Sequence, residues 1–172
     1  YAYGSSWVIP ETGIILNNRL TGFVLDPKAV NVIAPGKRPA HTLNAFTAVR
    51  PDGSLYLVGG TPGANIQVQT NLQLIVNVID LKLNVQEAIE APRWQHLNAP
   101  GQSSAEESGK GVLEIEDRVS TAVIDELRAK GHEVKLLPPW GHGSSVQMLE
   151  VLPQGTYAIG SDPRCEGHAA GI

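Results

Sequence analysis

The decisive stretch of this chain reads Gly60-Thr61-Pro62-Gly63-Ala64-Asn65. An apolar segment follows it without a break and runs to Ile79, so the glycine-rich turn leads directly into a predicted helix. The first N–H groups of a helix have no partners within it, and a turn that presents them binds anions. The stretch therefore predicts an anion-binding turn. The competing interpretation is an ordinary Gly-Pro turn that caps a buried helix.

The composition indicates a globular protein with one core. The chain has 172 residues, of which 42% are hydrophobic and 17% are charged, and this length is too short to argue for two domains. A formal net charge of −4 argues against nucleic acid or an anionic membrane as the main partner. No run approaches the roughly 18 apolar residues of a membrane span. The single Cys165 excludes an internal disulfide framework.

Period-two patterns and turn residues predict several strands. A hairpin is expected around Pro51-Asp52-Gly53, and a second turn at Pro153-Gln154-Gly155 is expected to join two later strands. The stretch 99–110, which contains one Pro, two Gly and three Ser, is predicted to be a long surface loop. The predicted strands cover residues 44–49, 54–58, 134–137, 146–152 and 157–160.

Three helices complete a mixed α/β fold class. The first covers 68–80 and is predicted to be buried on most sides. The second starts at Asn84, where Glu87 completes a capping box, and stops before Pro92. The third covers 120–130 and ends at the following glycine. The apolar residues at helical spacing in the first helix are Leu72, Ile75, Val76 and Ile79.

Three further blocks accompany the glycine-rich turn in a fixed order. They are Pro35-Gly36-Lys37-Arg38-Pro39, Glu90-Ala91-Pro92-Arg93 and Ser161-Asp162-Pro163-Arg164. With these blocks, the chain resembles the small subunit of the gamma-glutamyltransferase (gamma-glutamyltranspeptidase) family, whose members are N-terminal-nucleophile hydrolases. The resemblance covers nearly the whole chain. It implies an α/β (α+β) fold that forms part of a four-layer αββα sandwich.

The resemblance implies an enzyme of acyl transfer or amide hydrolysis. In the family, a proenzyme cuts itself, and the new N-terminal threonine becomes both the nucleophile and, through its amine, the general base. This chain begins at Tyr1, and no threonine in it lies at such a position. We therefore expect residues 1–172 to be one domain, the C-terminal portion of a small subunit that lacks the nucleophile segment and the large subunit.

The same resemblance predicts the partners and cofactors. The large subunit of the same processed precursor is the expected protein partner. The expected ligand is a small-molecule amide or a gamma-glutamyl-type substrate. Because the family's nucleophile supplies its own base, neither a metal nor an organic cofactor is implied.

Two backbone N–H groups are the predicted oxyanion hole. In the family, two consecutive glycines donate to the oxygen that becomes negative during attack, and they align with Gly63 and Ala64. One such donor is worth roughly 2.7 to 4 kcal/mol of barrier. Ala64 keeps its N–H, but the position requires a backbone angle that alanine tolerates.

The block that contains His41 and Thr42 is expected to bind the acyl group. The family places two adjacent serines at these positions, and they bind the alpha-carboxylate of a gamma-glutamyl group. Thr42 keeps a hydroxyl, whereas His41 introduces a larger ring that titrates near neutrality. Without the register of the motif, His41 would be interpreted as a hydrogen-bonded histidine at the start of a strand.

Arg19 and Gly22 depart from the family in a way that predicts a different substrate. The family has an aspartate at position 22, with Gln or Glu three residues earlier, and both pair with the substrate's alpha-ammonium. A guanidinium at Arg19 repels an ammonium and binds a carboxylate in bidentate fashion. We therefore expect an acyl group without that ammonium, such as a dicarboxylic half-amide of glutaryl or oxamate type. The open alternative is a solvent-exposed Arg19 in a surface ion pair worth about 0 to 1 kcal/mol.

Other polar residues are given structural roles. Asp162 and Arg164 are predicted to form an ion pair that fixes the last turn, and Arg93 is predicted to stack or to close a subunit contact. The stretch 140–144 lacks the register of a nucleophile elbow, and the histidines lack the pairing of a zinc site. Cys165 is expected to be buried or inert.

The functional hypotheses differ in class. The first is a family enzyme for which this chain supplies the oxyanion hole and part of the acyl pocket. The second is a non-catalytic binding or structural relative that keeps the sandwich without the nucleophile. Sequence upstream of Tyr1 discriminates between them.

Overall fold

The computed structural model describes residues 4–97 and 111–170. The chain divides into a first unit, Tyr1–Thr42, and a second unit, Leu43–Ile172. Turns dominate the first unit, which also contains the 3-10 helix Arg19–Gly22. The regular strands and α-helices lie in the second unit.

Within the described residues, the second unit contains seven strands in two sheets. The four-stranded sheet has the order β1-β2-β6-β7 and is antiparallel throughout, and the three-stranded sheet has the order β3-β4-β5. Strand β3 is antiparallel to β4, whereas β4 and β5 are parallel. The strands are β1 (Phe46–Val49), β2 (Leu55–Gly60), β3 (Trp94–Leu97), β4 (Val112–Glu116), β5 (Glu133–Leu137), β6 (Gln147–Val151) and β7 (Tyr157–Ser161).

The predicted β1–β2 hairpin and the later strands β5, β6 and β7 are confirmed. In the hairpin, the Arg50 N–H donates to the Ser54 carbonyl at 2.8 Å, and Gly53 has a φ of 84°. A left-handed φ suits glycine, so the Pro-Asp-Gly turn forms where its chemistry predicts. Strands β3 and β4 were not predicted, and the predicted loop 99–110 lies outside the described residues.

Helices α1 (Gln67–Ile79) and α2 (Val85–Glu90) cover one face of the four-stranded sheet. Gly160 on β7 permits the close approach of α2, because a Cβ there would lie 2.7 Å from Ile89 Cδ1 and 3.1 Å from the Val85 carbonyl oxygen. A side chain at this position would push the helix away from the sheet. The buried core residues are Leu57, Leu74, Val78, Val85, Ala88, Ile89, Val146 and Met148.

The opposite face of the same sheet is also apolar. Val58 pairs with Leu149 and Leu149 pairs with Ile159, so these residues form a row across β2, β6 and β7. Neighbouring residues of a strand point to opposite faces, so this row lies away from buried Leu57 and Met148. Val58 and Ile159 are each 39% exposed.

Helix α1 has the predicted length but a different buried side. Its buried residues include Thr70, Asn71, Leu74 and Val78, whereas Leu72 of the predicted stripe is 55% exposed. The prediction of burial on most sides is therefore wrong for this turn. Tertiary packing selects a side that includes Thr70 and Asn71, and the Asn71 side chain donates to the Asn44 carbonyl at 2.6 Å.

The two shorter helices begin where the sequence predicts, but of the two only α2 forms a side-chain cap at its N-terminus. The capping box of α2 is formed, because Asn84 Oδ1 accepts the Glu87 N–H at 2.9 Å and Glu87 Oε2 accepts the Asn84 N–H at 3.0 Å. Helix α3 (Thr121–Ala129) begins after Ser120, whose side chain makes no capping hydrogen bond. Among the described residues, no helix is long and apolar enough to cross a membrane.

Candidate active site

The glycine-rich turn lies between β2 and α1 and has an unusual backbone. Gly63 has a φ of 133° and Ala64 a φ of 48°. Glycine is required at position 63, because a Cβ there would lie 2.6 Å from Ile66 Cγ1. Ala64 adopts the left-handed conformation at a cost of about 1 kcal/mol. The Ile66 N–H donates to the Gly63 carbonyl at 3.0 Å and closes the turn.

The N–H groups of Gly63 and Ala64 donate to no acceptor among the described residues. Ala64 is exposed and Gly63 is half-buried, so both groups are accessible from solvent. Two adjacent donors without an internal partner are what an anion requires. This geometry supports the predicted oxyanion hole, whose assignment to Gly63 and Ala64 stays a prediction.

A cavity of about 680 Å³ lies in the first unit. Its wall contains the positively charged Arg19 and Arg38 together with His41, and none of the described residues in the wall is acidic. The net charge of this lining favours an anionic ligand. The described residues that line it are Leu16, Asn17, Arg19, Leu20, Arg38, Pro39 and His41.

Arg19 is fixed in this cavity through its backbone and its side chain. Its N–H donates to Asn17 Oδ1 at 3.0 Å, and its Nη1 donates to Thr42 Oγ1 at 3.0 Å. No carboxylate among the described residues forms an ion pair with Arg19. The structure thus brings Arg19 and Thr42 into contact and places His41 in the same wall, while a surface ion pair for Arg19 is not observed in the described part of the chain.

Gly22 ends the 3-10 helix and does not belong to the cavity wall. A Cβ at this position would lie 3.1 Å from the Ala40 carbonyl oxygen. An aspartate here, as the family resemblance implies for gamma-glutamyl substrates, requires the segment at Ala40 to shift. The local backbone therefore accommodates glycine where an ammonium-binding acid is otherwise expected, and the role of Gly22 in substrate binding stays a prediction.

Four buried charged side chains form a cluster in the second unit, which we call the charge cluster: Arg93, Glu116, Asp162 and Arg164. Arg93 Nη1 lies 2.6 Å from Asp162 Oδ2, and Arg164 Nη1 lies 3.1 Å from Asp162 Oδ1. Arg164 also binds Glu116 through two parallel hydrogen bonds of 2.7 and 2.8 Å. The predicted Asp162–Arg164 ion pair is present. The prediction for Arg93 is wrong, because Arg93 is 2% exposed and its partners lie within this chain.

The pKa values in the charge cluster reflect burial and pairing. Burial alone would raise the pKa of Glu116, but hydrogen bonds from Arg164 and Arg118 lower it to about 2. Burial opposes the charged form of Arg164, yet its hydrogen bonds with Glu116 raise its pKa. Burial lowers the pKa of Arg93, against the attraction of Asp162. Glu116 and Arg164 are therefore ionised at neutral pH.

His142 and Ser144 lie beside the charge cluster. Ser144 Oγ accepts a hydrogen bond from Arg93 Nη1 at 2.8 Å and lies 2.7 Å from His142 Nδ1. Burial, together with repulsion from Arg93, lowers the pKa of His142 to about 4, so its ring is neutral at physiological pH. The Ser144 N–H donates to His142 Nδ1 at 3.2 Å, so in the neutral ring Nδ1 is a hydrogen-bond acceptor and Nε2 carries the proton.

A family model described as Gamma-glutamyltranspeptidase matches residues 1–172. The chain belongs to the gamma-glutamyltranspeptidase family. The family predicted from the sequence is thereby confirmed.

Curated members of the gamma-glutamyltranspeptidase family show the range of activities. The chain is 37% identical over 175 residues to an oxamate amidohydrolase proenzyme of Klebsiella pneumoniae, an alignment that covers 99% of this chain and 31% of the relative. It is 36% identical over 172 residues to a glutathione hydrolase proenzyme of Escherichia coli, with 94% and 27% coverage. The chain therefore spans less than a third of the length of either relative.

A solved structure supports the assignment of the fold. A cephalosporin acylase from Bacillus halodurans superposes with a TM-score of 0.73 at 31% identity, over 96% of this chain and 30% of that protein. Together with the two sheets and their helices, this similarity confirms the mixed α+β fold of N-terminal-nucleophile hydrolases.

Among the described residues, no group of three His, Cys, Asp or Glu lies close enough together to bind a metal ion. Cys165 is exposed, so the buried alternative of the prediction is wrong, and its inertness stays a prediction. Sequence reasoning also missed the contacts of Ser144 with Arg93 and with His142. The short His-Gly-Ser spacing was the available signal, but it does not identify a partner that lies distant in sequence.

Proposed function

We propose that this protein, with the remainder of its precursor, cleaves or transfers the acyl group of an amide whose acyl part carries a carboxylate. The observation that carries the proposal is the position of Arg19, which lies in a cationic cavity wall and donates to Thr42. A half-buried guanidinium that pairs with no carboxylate among the described residues is suited to bind a substrate carboxylate.

The relatives support this substrate class without deciding it. Oxamate carries a carboxylate next to its amide carbonyl and no ammonium group, and the oxamate amidohydrolase is 37% identical to this chain. The glutathione hydrolase is 36% identical, so a gamma-glutamyl substrate is the alternative. The absence of an acid at Gly22 and the presence of Arg19 favour the substrate without ammonium.

The proposed reaction follows the chemistry of an N-terminal nucleophile. The hydroxyl oxygen of an N-terminal threonine, supplied from outside this chain, bonds to the amide carbonyl carbon while the threonine's amine accepts the hydroxyl proton. The N–H groups of Gly63 and Ala64 donate to the oxyanion. The proton then passes to the leaving nitrogen as the C–N bond breaks. Water or an amine finally attacks the ester and releases the acyl group.

The proposal includes the place of this chain in the protein. It forms the C-terminal portion of a small subunit, and the large subunit of the same precursor binds it. Its coverage of 31% and 27% of the two relatives supports this arrangement. Intact mass and N-terminal sequencing of the native protein test it. A polypeptide that begins with Thr and continues into Tyr1, beside a larger subunit, is expected, and an unprocessed chain without that Thr favours a non-catalytic relative.

Arg19→Gln in the complete processed enzyme tests the substrate class. The KM for oxamate-type and glutaryl-type amides is expected to rise about 10- to 100-fold, because a hydrogen bond to a charged group contributes about 1.5 to 3 kcal/mol. The KM for a neutral acyl amide is expected to stay unchanged. Arg128→Gln on α3 is the matched control, since that exposed side chain lies far from the cavity in sequence and outside its wall.

The outcome that contradicts the proposal is equal KM values for Arg19→Gln and the wild type with anionic amides. A preference of the wild type for gamma-glutamyl over oxamate-type amides would keep the family chemistry and replace the substrate. Kinetic measurements with the same anionic, neutral and gamma-glutamyl amides distinguish these two outcomes.

A further inference from the structure

We propose that Thr61 is a positioning residue for the oxyanion turn and that Ser145 fixes it, an inference that rests on the proposed function. Thr61 Oγ1 accepts the Ser145 N–H at 2.9 Å and donates to the Pro62 carbonyl at 2.7 Å. One hydroxyl therefore connects the turn to a segment 84 residues further along the chain.

Ser145 is itself fixed from both sides. Ser144 Oγ accepts from Arg93 Nη1 at 2.8 Å, and the Val146 N–H donates to Asp162 Oδ2 at 2.8 Å. Ser144 and Val146 are almost completely buried, with 1% and 0% exposure. The N–H that Thr61 accepts thus belongs to a segment that two members of the charge cluster anchor.

The charge cluster gives this anchor its rigidity. Arg93 and Asp162 pair at 2.6 Å, and Arg164 connects Asp162 to Glu116. Hydrogen bonds between ionised groups are shorter and stronger than neutral ones, and a buried pair tolerates little displacement. A rigid path therefore leads from Asp162 through Val146 and Ser145 to Thr61.

The turn needs an external restraint because its own backbone is strained. Ala64 has a φ of 48°, and strained residues persist only where the surrounding structure fixes them. Loss of the Thr61 hydroxyl removes the contact that joins the turn to Ser145, and the N–H groups of Gly63 and Ala64 then lose their fixed direction. Oxyanion donors act in the transition state, so we expect the loss in kcat and not in KM.

The test compares Thr61→Val, Thr61→Ser and Thr47→Val in the complete processed enzyme. Valine keeps the shape and removes the hydroxyl, serine keeps the hydroxyl, and Thr47 is an exposed threonine on β1. Thr61→Val is expected to lower kcat about 10- to 100-fold with KM within twofold of wild type. Thr61→Ser and Thr47→Val are expected to keep kcat within about threefold of wild type.

A second readout does not depend on activity. Hydrogen–deuterium exchange of the peptide that contains Ile66 reports the turn, since the Ile66 N–H donates to the Gly63 carbonyl. Thr61→Val is expected to speed this exchange, and Thr47→Val is not. Unchanged kcat and unchanged exchange in Thr61→Val would overturn the inference. An inactive wild type overturns the proposed function instead, and the exchange experiment still decides whether Thr61 fixes the turn.

Discussion

The side-chain amide of Gln69 on α1 pairs with both backbone groups of His96 on β3. Gln69 Oε1 accepts the His96 N–H at 2.7 Å, and Gln69 Nε2 donates to the His96 carbonyl at 3.1 Å. Gln73 binds Trp94 in the same way: Gln73 Oε1 accepts the Trp94 N–H at 3.1 Å, and Gln73 Nε2 donates to the Trp94 carbonyl at 2.9 Å. Four residues of helix rise about 6 Å and two residues of strand about 6.6 Å, so the spacings match. The outer edge of β3 is thereby closed to another strand.

Gln69→Ala is expected to lower the free energy of unfolding by about 1 to 3 kcal/mol, because it leaves both His96 backbone groups without their partner. Denaturant unfolding at constant pH measures the change. Gln154→Ala in the exposed turn between β6 and β7 is the control and is expected to change stability by less than about 0.5 kcal/mol. Equal stabilities of the two variants would contradict the role given to Gln69.

Ala64→Gly is expected to raise the free energy of unfolding by about 1 kcal/mol, since glycine adopts a φ of 48° without strain. The kcat is expected to stay near wild type, because the N–H is kept. Ala122→Gly within α3 is the control and should have the opposite sign, as glycine in a helix costs about 0.5 to 1 kcal/mol. Thermal unfolding of both variants checks the prediction, which is wrong if Ala64→Gly also destabilises.

Arg164→Lys is expected to cost about 3 kcal/mol, because lysine cannot form the two parallel hydrogen bonds to Glu116 and leaves buried acceptors unpaired. The matched control is Arg128→Lys on α3, whose pair with Asp125 spans 3.6 Å between exposed side chains. That change is expected to stay below about 0.5 kcal/mol. Urea unfolding distinguishes the two cases, and equal midpoints would show that the charge cluster contributes nothing.

Acidification is expected to destabilise the protein through His142. Its pKa is about 4 in the folded state against an ordinary 6.5, so the unfolded chain binds the proton first and stability falls as pH drops below 6.5. Between pH 7 and pH 5 this amounts to about 2 kcal/mol. The pKa of Glu116 is lowered from 4.5 to about 2, so protonation of Glu116 reduces the stability mainly below pH 5.

Unfolding of His142→Gln at pH 7 and pH 5 measures this contribution. The variant is expected to be less stable at pH 7, yet it should lose about 2 kcal/mol less than the wild type between the two pH values. His168→Gln, an exposed control, should keep the wild-type difference. An identical pH dependence of His142→Gln and wild type would show that another group is responsible.

The sequence predicted the structural features that are formed by residues close together in the chain. The capping box of Asn84 and Glu87 acts within one helical turn, and the Asp162–Arg164 pair spans two residues, so both are visible in the sequence. The buried side of α1 is not visible in the sequence. Thr70 and Asn71 are buried by contacts with other parts of the chain, and the residue pattern of α1 alone does not show these contacts.

The same distinction applies to the candidate site. Motif register placed Arg19 and Thr42 near one another, and the structure brings them into contact. The role of Arg93 was missed because its partners Ser144 and Asp162 come from distant segments. Charged residues reveal that a pair is needed, but only the fold determines which pair forms.

The charge cluster also constrains when the second unit can be completed during synthesis. Arg93 and Glu116 are synthesised before Asp162 and Arg164. A buried charge without its partner is strongly unfavourable, so we expect Arg93, which pairs with Asp162, to stay solvated until Asp162 has been made. At roughly 5 to 20 residues per second, this wait lasts seconds. We therefore expect the two sheets to join only after β7 and the segment beyond it have emerged, and the hairpin and helices formed earlier to persist without that closure.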